Sequence, residues 1–180
     1  MTSRRFGTLV TLAVVAGLLS GCVGEPAPAE TTPAFVSEDE AFAAAEETYR
    51  AYVDAVNQVD LSDPETFEPV FALTTGEANA AARESFSQMH ADGWAVAGDS
   101  IPTVIEDGAQ EGLPDSLQLS ICLVVSDVRV LDSEGASVVS DDRGDVHSMT
   151  IHLDASRSAP DGWLVSEIEG REGDPTCGSE

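Results

Sequence analysis

The chain changes its hydrophobic period once, at Gly93. Before that point apolar residues recur at three- and four-residue spacing. After it they alternate, or run in short blocks rich in Val, Ile and Leu. Helices that all precede the strands leave no crossover segments for parallel βαβ units. The order therefore specifies an α+β domain, with N-terminal helices packed on a curved antiparallel sheet.

The helical half divides into three. Ser37-Glu38-Asp39-Glu40 is a capping-box start. Phe42, Ala45, Tyr49, Tyr52, Val53 and Val56 then mark a long amphipathic helix over 38–59. Asp63-Pro64-Glu65 opens a short second helix with Pro in its first turn. Thr75-Gly76-Glu77 opens a third, which runs to Ala91 with Ala78, Ala82, Phe86 and Met89 as its inward stripe. In the second half Trp94 to Gly98 begins a strand that continues through Ile101 to Ile105, and Gly108 to Pro114 reads as a loop. Leu117 to Leu131 predicts one long strand with a bulge near Ser126. A hairpin turn at Asp132-Ser133-Glu134-Gly135, a short strand at Ser137–Ser140, a strand at Val146–Leu153, the Asp161-Gly162 turn and a last strand at Trp163–Ile168 complete the pattern.

Ahead of this domain, Arg4 and Arg5 precede an apolar run of about 14 residues from Phe6 to Leu19. That is the layout of a secretory signal and is short of the ~20 residues a spanning helix needs. The run ends in Leu19-Ser20-Gly21-Cys22, which resembles the lipobox of bacterial lipoproteins. The resemblance implies cleavage after residue 21 and a diacylglycerol on Cys22. The protein would then be held on the outer, extracytoplasmic face of the cell membrane, where two acyl chains suffice for stable anchoring. Residues 22–36, with Pro26, Pro28 and Pro33 and no apolar periodicity, read as a disordered tether. Residues 37–177 form one domain of ordinary size, followed by a short tail at 178–180.

Composition narrows the partners. The chain has 33 Asp and Glu against 8 basic residues, all Arg, for a formal charge of −25. Removal of residues 1–21 takes two arginines and no acid. Such a surface excludes nucleic acid, whose phosphates require clustered cations. It also keeps the domain itself off anionic lipid, so the lipid on Cys22 is the expected membrane contact. Arg-only basic usage with abundant Ala, Asp and Glu is what a GC-rich genome such as an actinobacterium's would produce.

Cys122 and Cys177 remain in the exported portion, and an even pair there reads as a disulfide. It closes a loop for which chain entropy gives ~4 kcal/mol. His147 and His152, five apart on one strand, point to opposite faces and form no local metal pair. His90 lies in the last turn of a helix, where a cation suits the dipole. The acids between Asp132 and Asp145 lack calcium-loop spacing, and Arg143-Gly144-Asp145 reads as a tight turn. No nucleophile elbow, phosphate-binding glycine loop or zinc cluster occurs. No cofactor or metal is implied, and no catalytic residue is assigned.

The helix-then-sheet order, the aromatics of Tyr49-Arg50-Ala51-Tyr52, the strand from Leu119 through Cys122 to Val130 and the closing Asp161-Gly162-Trp163-Leu164-Val165 resemble the nuclear transport factor 2-like fold. This is the cone also used by ketosteroid isomerases and SnoaL-like polyketide cyclases, and the chain is similar to actinobacterial lipoproteins of that fold. The resemblance implies a cavity between the helices and the sheet, with Tyr49, Tyr52 and Trp94 as candidate lining residues. The expected function is non-catalytic binding of a small molecule or an extracytoplasmic protein. The alternative is isomerase- or cyclase-like acid–base chemistry in the cavity, which requires an inward carboxylate and an oxyanion-stabilising Tyr. Asp99 and Asp127 are candidate bases that sequence does not rank.

Overall fold

A computed structural model describes residues 35–108, 115–173 and 175–178. The signal segment, Cys22, the tether up to residue 34 and the 109–114 part of the expected loop lie outside the described residues.

Helix α1 (Glu38–Asn57) begins where its capping signal places it. The Ser37 hydroxyl accepts from the Glu40 N–H at 3.1 Å, and the Glu40 carboxylate accepts from the Val36 N–H at 2.9 Å. The helix ends two residues earlier than its apolar spacing predicts. A 3-10 turn at Pro64–Phe67, capped by Asp63, runs into α2 (Glu68–Ala72), and α3 spans Gly76–Ala91.

Among the described residues six strands follow: β1 (Ala95–Ala97), β2 (Ile101–Asp107), β3 (Ser116–Val124), β4 (Arg129–Leu131), β5 (Val146–Ala155) and β6 (Trp163–Gly170). The named strands all pair antiparallel. Four strands form one sheet in the order β2-β3-β5-β6, and β1 pairs with β4 in a separate two-stranded ribbon. Register shifts between Pro102 and Val104, and opposite His152 and Leu153, bend the main sheet.

The predicted single strand from Leu117 to Leu131 is corrected. The chain leaves the main sheet at Val124, turns so that the Val128 N–H reaches the Val125 carbonyl, and re-enters a different sheet as β4. Arg143 braces this break, donating to the carbonyls of Val125 and Val128 at 2.8 and 2.9 Å. A charged side chain from another loop therefore completes what alternation alone reads as a continuous strand. The Trp94–Ile105 segment splits in the same way, into β1 and β2 of different sheets. Ser137–Ser140 forms no strand, only an isolated bridge from Ser137 to Leu131.

The main core lies between α1 and the sheet. Ala41, Ala45, Tyr49 and Val53 pack on Leu117, Leu119 and Ile121 of β3, Ile151 and Leu153 of β5, and Trp163 and Val165 of β6. Trp163 is fully buried. Its indole N–H donates to the Ala41 carbonyl at 3.0 Å, and Phe35 stacks on it with ring centroids 5.1 Å apart. Gly162 permits this arrangement twice over. Its φ of +82° suits glycine, and a Cβ there would lie 2.7 Å from the Phe35 ring. A second cluster gathers Val59, Leu61, Phe67 and Val70 with the half-buried Phe71, Phe86, Met89 and Trp94. His90 fastens it, with Nδ1 2.6 Å from the Leu61 carbonyl oxygen.

Candidate functional site

The site follows from a thin helix face. Positions 78, 81, 82 and 85 of α3 are Ala, Ala, Ala and Ser, and of the helix only Ala78 is buried. Opposite them α1 presents Tyr52 and Val56, and β6 presents Glu167 and Ile168. Small side chains on one wall leave room that the other two do not fill, and a cavity of about 350 Å³ results. Val56, Ala78, Ala81, Ala82, Phe86 and Ile168 make its apolar surface. Tyr52, Ser85, Glu77 and Glu167 supply its polar groups.

Backbone contacts set the α3 wall. The Thr75 N–H donates to the Val165 carbonyl at 2.8 Å, and the Val165 N–H donates to the Leu73 carbonyl at 3.0 Å. Segment 73–75 therefore docks on the free edge of β6. Gly76 follows with φ of +50°, and a Cβ there would stand 3.1 Å from the Ser166 carbonyl oxygen. The start of α3 can sit against β6 only because residue 76 lacks a side chain. This junction brings the first turn of α3 and the end of β6 to the same cavity.

The two tyrosines of α1 divide between core and cavity. Tyr52 lines the cavity and is half-buried, and burial raises its phenol pKa. Tyr49 is in the main core, 1 % exposed, with its ring 6.1 Å from that of Tyr52. Its hydroxyl is buried without a hydrogen-bond partner among the described residues. Burial, and secondarily the charge that Tyr52 would carry if ionised, raise its pKa further. Trp94 belongs to the second cluster. Of the three candidate lining residues, the cavity wall thus holds Tyr52. Tyr49 is drawn into the core by the helix periodicity that suggested it, and Trp94 by its neighbours Phe86 and Met89.

Asp99 and Asp127 are both exposed and away from this cavity. Asp99 borders a small space of about 100 Å³ beside Val59 and Val96. The acidic residues that border the cavity are Glu77 and Glu167, neither of which stood out in the sequence as a candidate base. Alternation from Trp163 and Val165 would place residue 167 on the core side, but the irregularity between Val165 and Glu167 shifts the alternation, so that Ile168 pairs with the core residue Ile151 and Glu167 pairs with His152.

Cys122 and Cys177 form a disulfide, with Cα atoms 5.5 Å apart. Cys122 alternates with the core residues Leu119 and Ile121, so it faces the other side of the sheet. It is nevertheless only 2 % exposed, because the C-terminal segment crosses over it. Arg171 shapes that segment. Its N–H donates to the Ser148 carbonyl, and its guanidinium donates to the carbonyls of Gly173 and Pro175 at 2.9 and 2.7 Å. His152 faces Glu169 at 3.3 Å and His147 is exposed. No group of three or more His, Cys, Asp or Glu placed to hold a metal occurs among the described residues.

Three helices on a bent four-stranded antiparallel sheet, with a cavity between them, define the nuclear transport factor 2-like cone. No family profile matches the chain, and no curated protein is similar to it in sequence. A solved structure shares the fold, and others are similar to a lesser degree. A proposed aromatic ring hydroxylase from Novosphingobium aromaticivorans superposes with a TM-score of 0.51 at 15% identity, over 76% of this chain and 93% of that one. CagV, a VirB8 homologue of the type IV secretion system of Helicobacter pylori, has a TM-score of 0.44 at 11% identity, over 72% and 99% of the two chains. Aln2 from a Streptomyces species has 0.43 at 12% identity, over 76% and 94%.

Proposed function

We propose that the protein is a membrane-anchored extracytoplasmic lipoprotein whose cone domain binds a small molecule without transforming it. The observation that carries the binding role is the cavity between α1, α3 and β6, apolar on most of its surface and carrying a few polar groups. Ligand sites have this make-up. The acid–base alternative needs a hydroxyl and a carboxylate directed into one apolar space. Here Tyr52 lines the cavity, but Glu77 is exposed and Glu167 pairs with His152 on the sheet face away from the core. The anchoring role is supported by the lipobox at Leu19–Cys22. An extracytoplasmic location is supported by the Cys122–Cys177 disulfide, a bond that persists in oxidising compartments.

Untargeted mass spectrometry of material co-purifying with the native lipidated protein tests the binding role. A recurrent small molecule is expected with the wild type, and its loss with Ala82→Leu, which puts three more carbons into the cavity. Failure to find any recurrent molecule, or equal recovery from both proteins, counts against the cavity as the site. Cys22→Ser is expected to move the protein from the membrane fraction to the soluble one. Retention in the membrane would refute lipid anchoring.

A further inference from the structure

The core-facing side of the sheet is left partly uncovered beyond the cavity. Cα partners of β3 and β5 run without a shift from Ser116↔Asp154 to Val124↔Val146, so the side chains of β5 alternate along its whole length. Ile151 and Leu153 face the core. Met149 and His147 therefore face the same way, with His147 opposite Leu123. On β6, beyond its irregularity, Ile168 and Gly170 share this face, opposite Ile151 and Met149. Ile151 is fully buried, whereas Met149, Leu123 and Ile168 are half-buried and His147 is exposed. A second depression of about 670 Å³ lies here, and its lining includes His147, Met149, Ile168, Gly170 and Glu172. Ile168 also lines the first cavity, so the two spaces adjoin at one side chain. Gly170 keeps the second space open, since a Cβ there would meet nothing within 4 Å.

We infer that the ligand is an elongated, uncharged amphiphile that occupies both spaces. Its apolar body sits against Ala82 and Phe86, its chain passes over Ile168 and Met149, and a terminal hydroxyl or carbonyl meets His147. This deepens the binding role proposed above and rests on it. The order of side chains sets the shape. Apolar surface continues from the first cavity across Ile168 to Met149, and His147 follows four positions beyond Ile151, about 14 Å along β5. No described residue hydrogen-bonds to the His147 ring. A neutral imidazole offers one donor and one acceptor, which an uncharged polar head can use. Charge selects against the other heads. A carboxylate would meet Glu172 and a chain of net charge −25. An ammonium would find only the exposed Glu172 in this depression, and an exposed ion pair contributes little.

Three probes with a phenyl body separate the cases: 3-phenylpropanol, 8-phenyloctanol and 8-phenyloctanoate. Each is measured by equilibrium dialysis against the full chain carrying Cys22→Ser, where no detergent competes for the site. The long alcohol is expected to bind about 10-fold tighter than the short one or more, because each methylene removed from water adds up to about 3-fold. The octanoate is expected to bind more weakly than the long alcohol. Gly170→Leu fills the second depression and should lower long-alcohol affinity about 5-fold while leaving the short alcohol unchanged. His147→Ala should do the same by about 2- to 10-fold, the range of one hydrogen bond. Ala82→Leu should weaken both alcohols. Unchanged binding of the short alcohol also shows that the Gly170 and His147 variants are folded. If Gly170→Leu does not fold, the exposed His147 decides alone.

Long-alcohol affinity unmoved by Gly170→Leu and His147→Ala overturns the two-space inference and leaves the binding role standing. A loss with Gly170→Leu alone overturns the position of the head at His147. Octanoate binding as tight as that of the long alcohol overturns the uncharged head. Binding of neither alcohol, or binding of both that Ala82→Leu does not weaken, removes the cavity reading and this inference together.

Discussion

Helices α1 and α3 both pack beside β6, yet they do opposite things there. Over 20 residues α1 buries Ala41, Ala45, Thr48, Tyr49, Val53 and Ala55; over 16 residues α3 buries Ala78. Small residues are present on both. Where α1 is small, at Ala41 and Ala45, the sheet supplies a large partner in Trp163, and the indole fills the gap and donates to the Ala41 carbonyl. Where α3 is small, at Ala78, Ala81 and Ala82, the facing strand has reached Glu167 and Ile168, and no side chain of comparable bulk arrives. A cavity therefore reflects the absence of complementary volume across an interface. The polarity of either helix alone does not reveal it.

The largest expected effect probes the filled side. Trp163→Ala removes the largest fully buried side chain and strands the Ala41 carbonyl contact. Urea unfolding should show a loss of about 3–5 kcal/mol. A loss below about 1 kcal/mol would mean that α1 and the sheet are not closely packed, and the contrast with α3 would collapse.

The same substitution on each helix sharpens the contrast. Ala45→Leu inserts three carbons into a fully occupied interface and should cost about 1–3 kcal/mol. Ala82→Leu inserts them into open space and should leave stability within about 1 kcal/mol of wild type, on the stabilising side, as cavity-filling changes do. Thermal denaturation of the two variants in one buffer decides the comparison. Equal destabilisation would show that the space beside α3 is not available to a side chain.

The filled side was the more legible in sequence. The capping residues Ser37 and Glu40, the apolar spacing from Ala45 to Val53 and the Asp161-Gly162-Trp163 turn and strand all carry local physical signals, and each lies where those signals place it. The cavity was less legible for two reasons. First, Ala78, Ala82, Phe86 and Met89 have the spacing of a core stripe, and periodicity counts positions without weighing the volume opposite them. Second, the walls supplied by α3 and β6 are brought together by the docking of Leu73–Thr75 on the β6 edge, a pairing that no local pattern encodes. The misread strand from Leu117 to Leu131 has the same origin. Its break is braced by Arg143, a residue remote in sequence, while its own residues read as uninterrupted β.

The smallest effect separates the two tyrosines that α1 carries across this boundary. The Tyr49 hydroxyl is buried and unpartnered in the core, while Tyr52 stands at the cavity. Tyr49→Phe removes a polar atom that has no compensation and should stabilise the fold at neutral pH by about 1 kcal/mol. Tyr52→Phe should change it less. Alkaline titration adds a second distinction. Burial raises the folded-state pKa of Tyr49 above the ordinary tyrosine value of 10.0. Below that value both folded and unfolded chains keep the phenol protonated, and pH has no effect through this group. Above it the unfolded chain ionises first, so stability falls as pH rises. Tm measured between pH 8 and pH 11 should drop more steeply for wild type than for Tyr49→Phe, and Tyr52→Phe should fall between them. An identical alkaline slope in wild type and Tyr49→Phe would place the Tyr49 hydroxyl in contact with water, on the cavity side of the boundary.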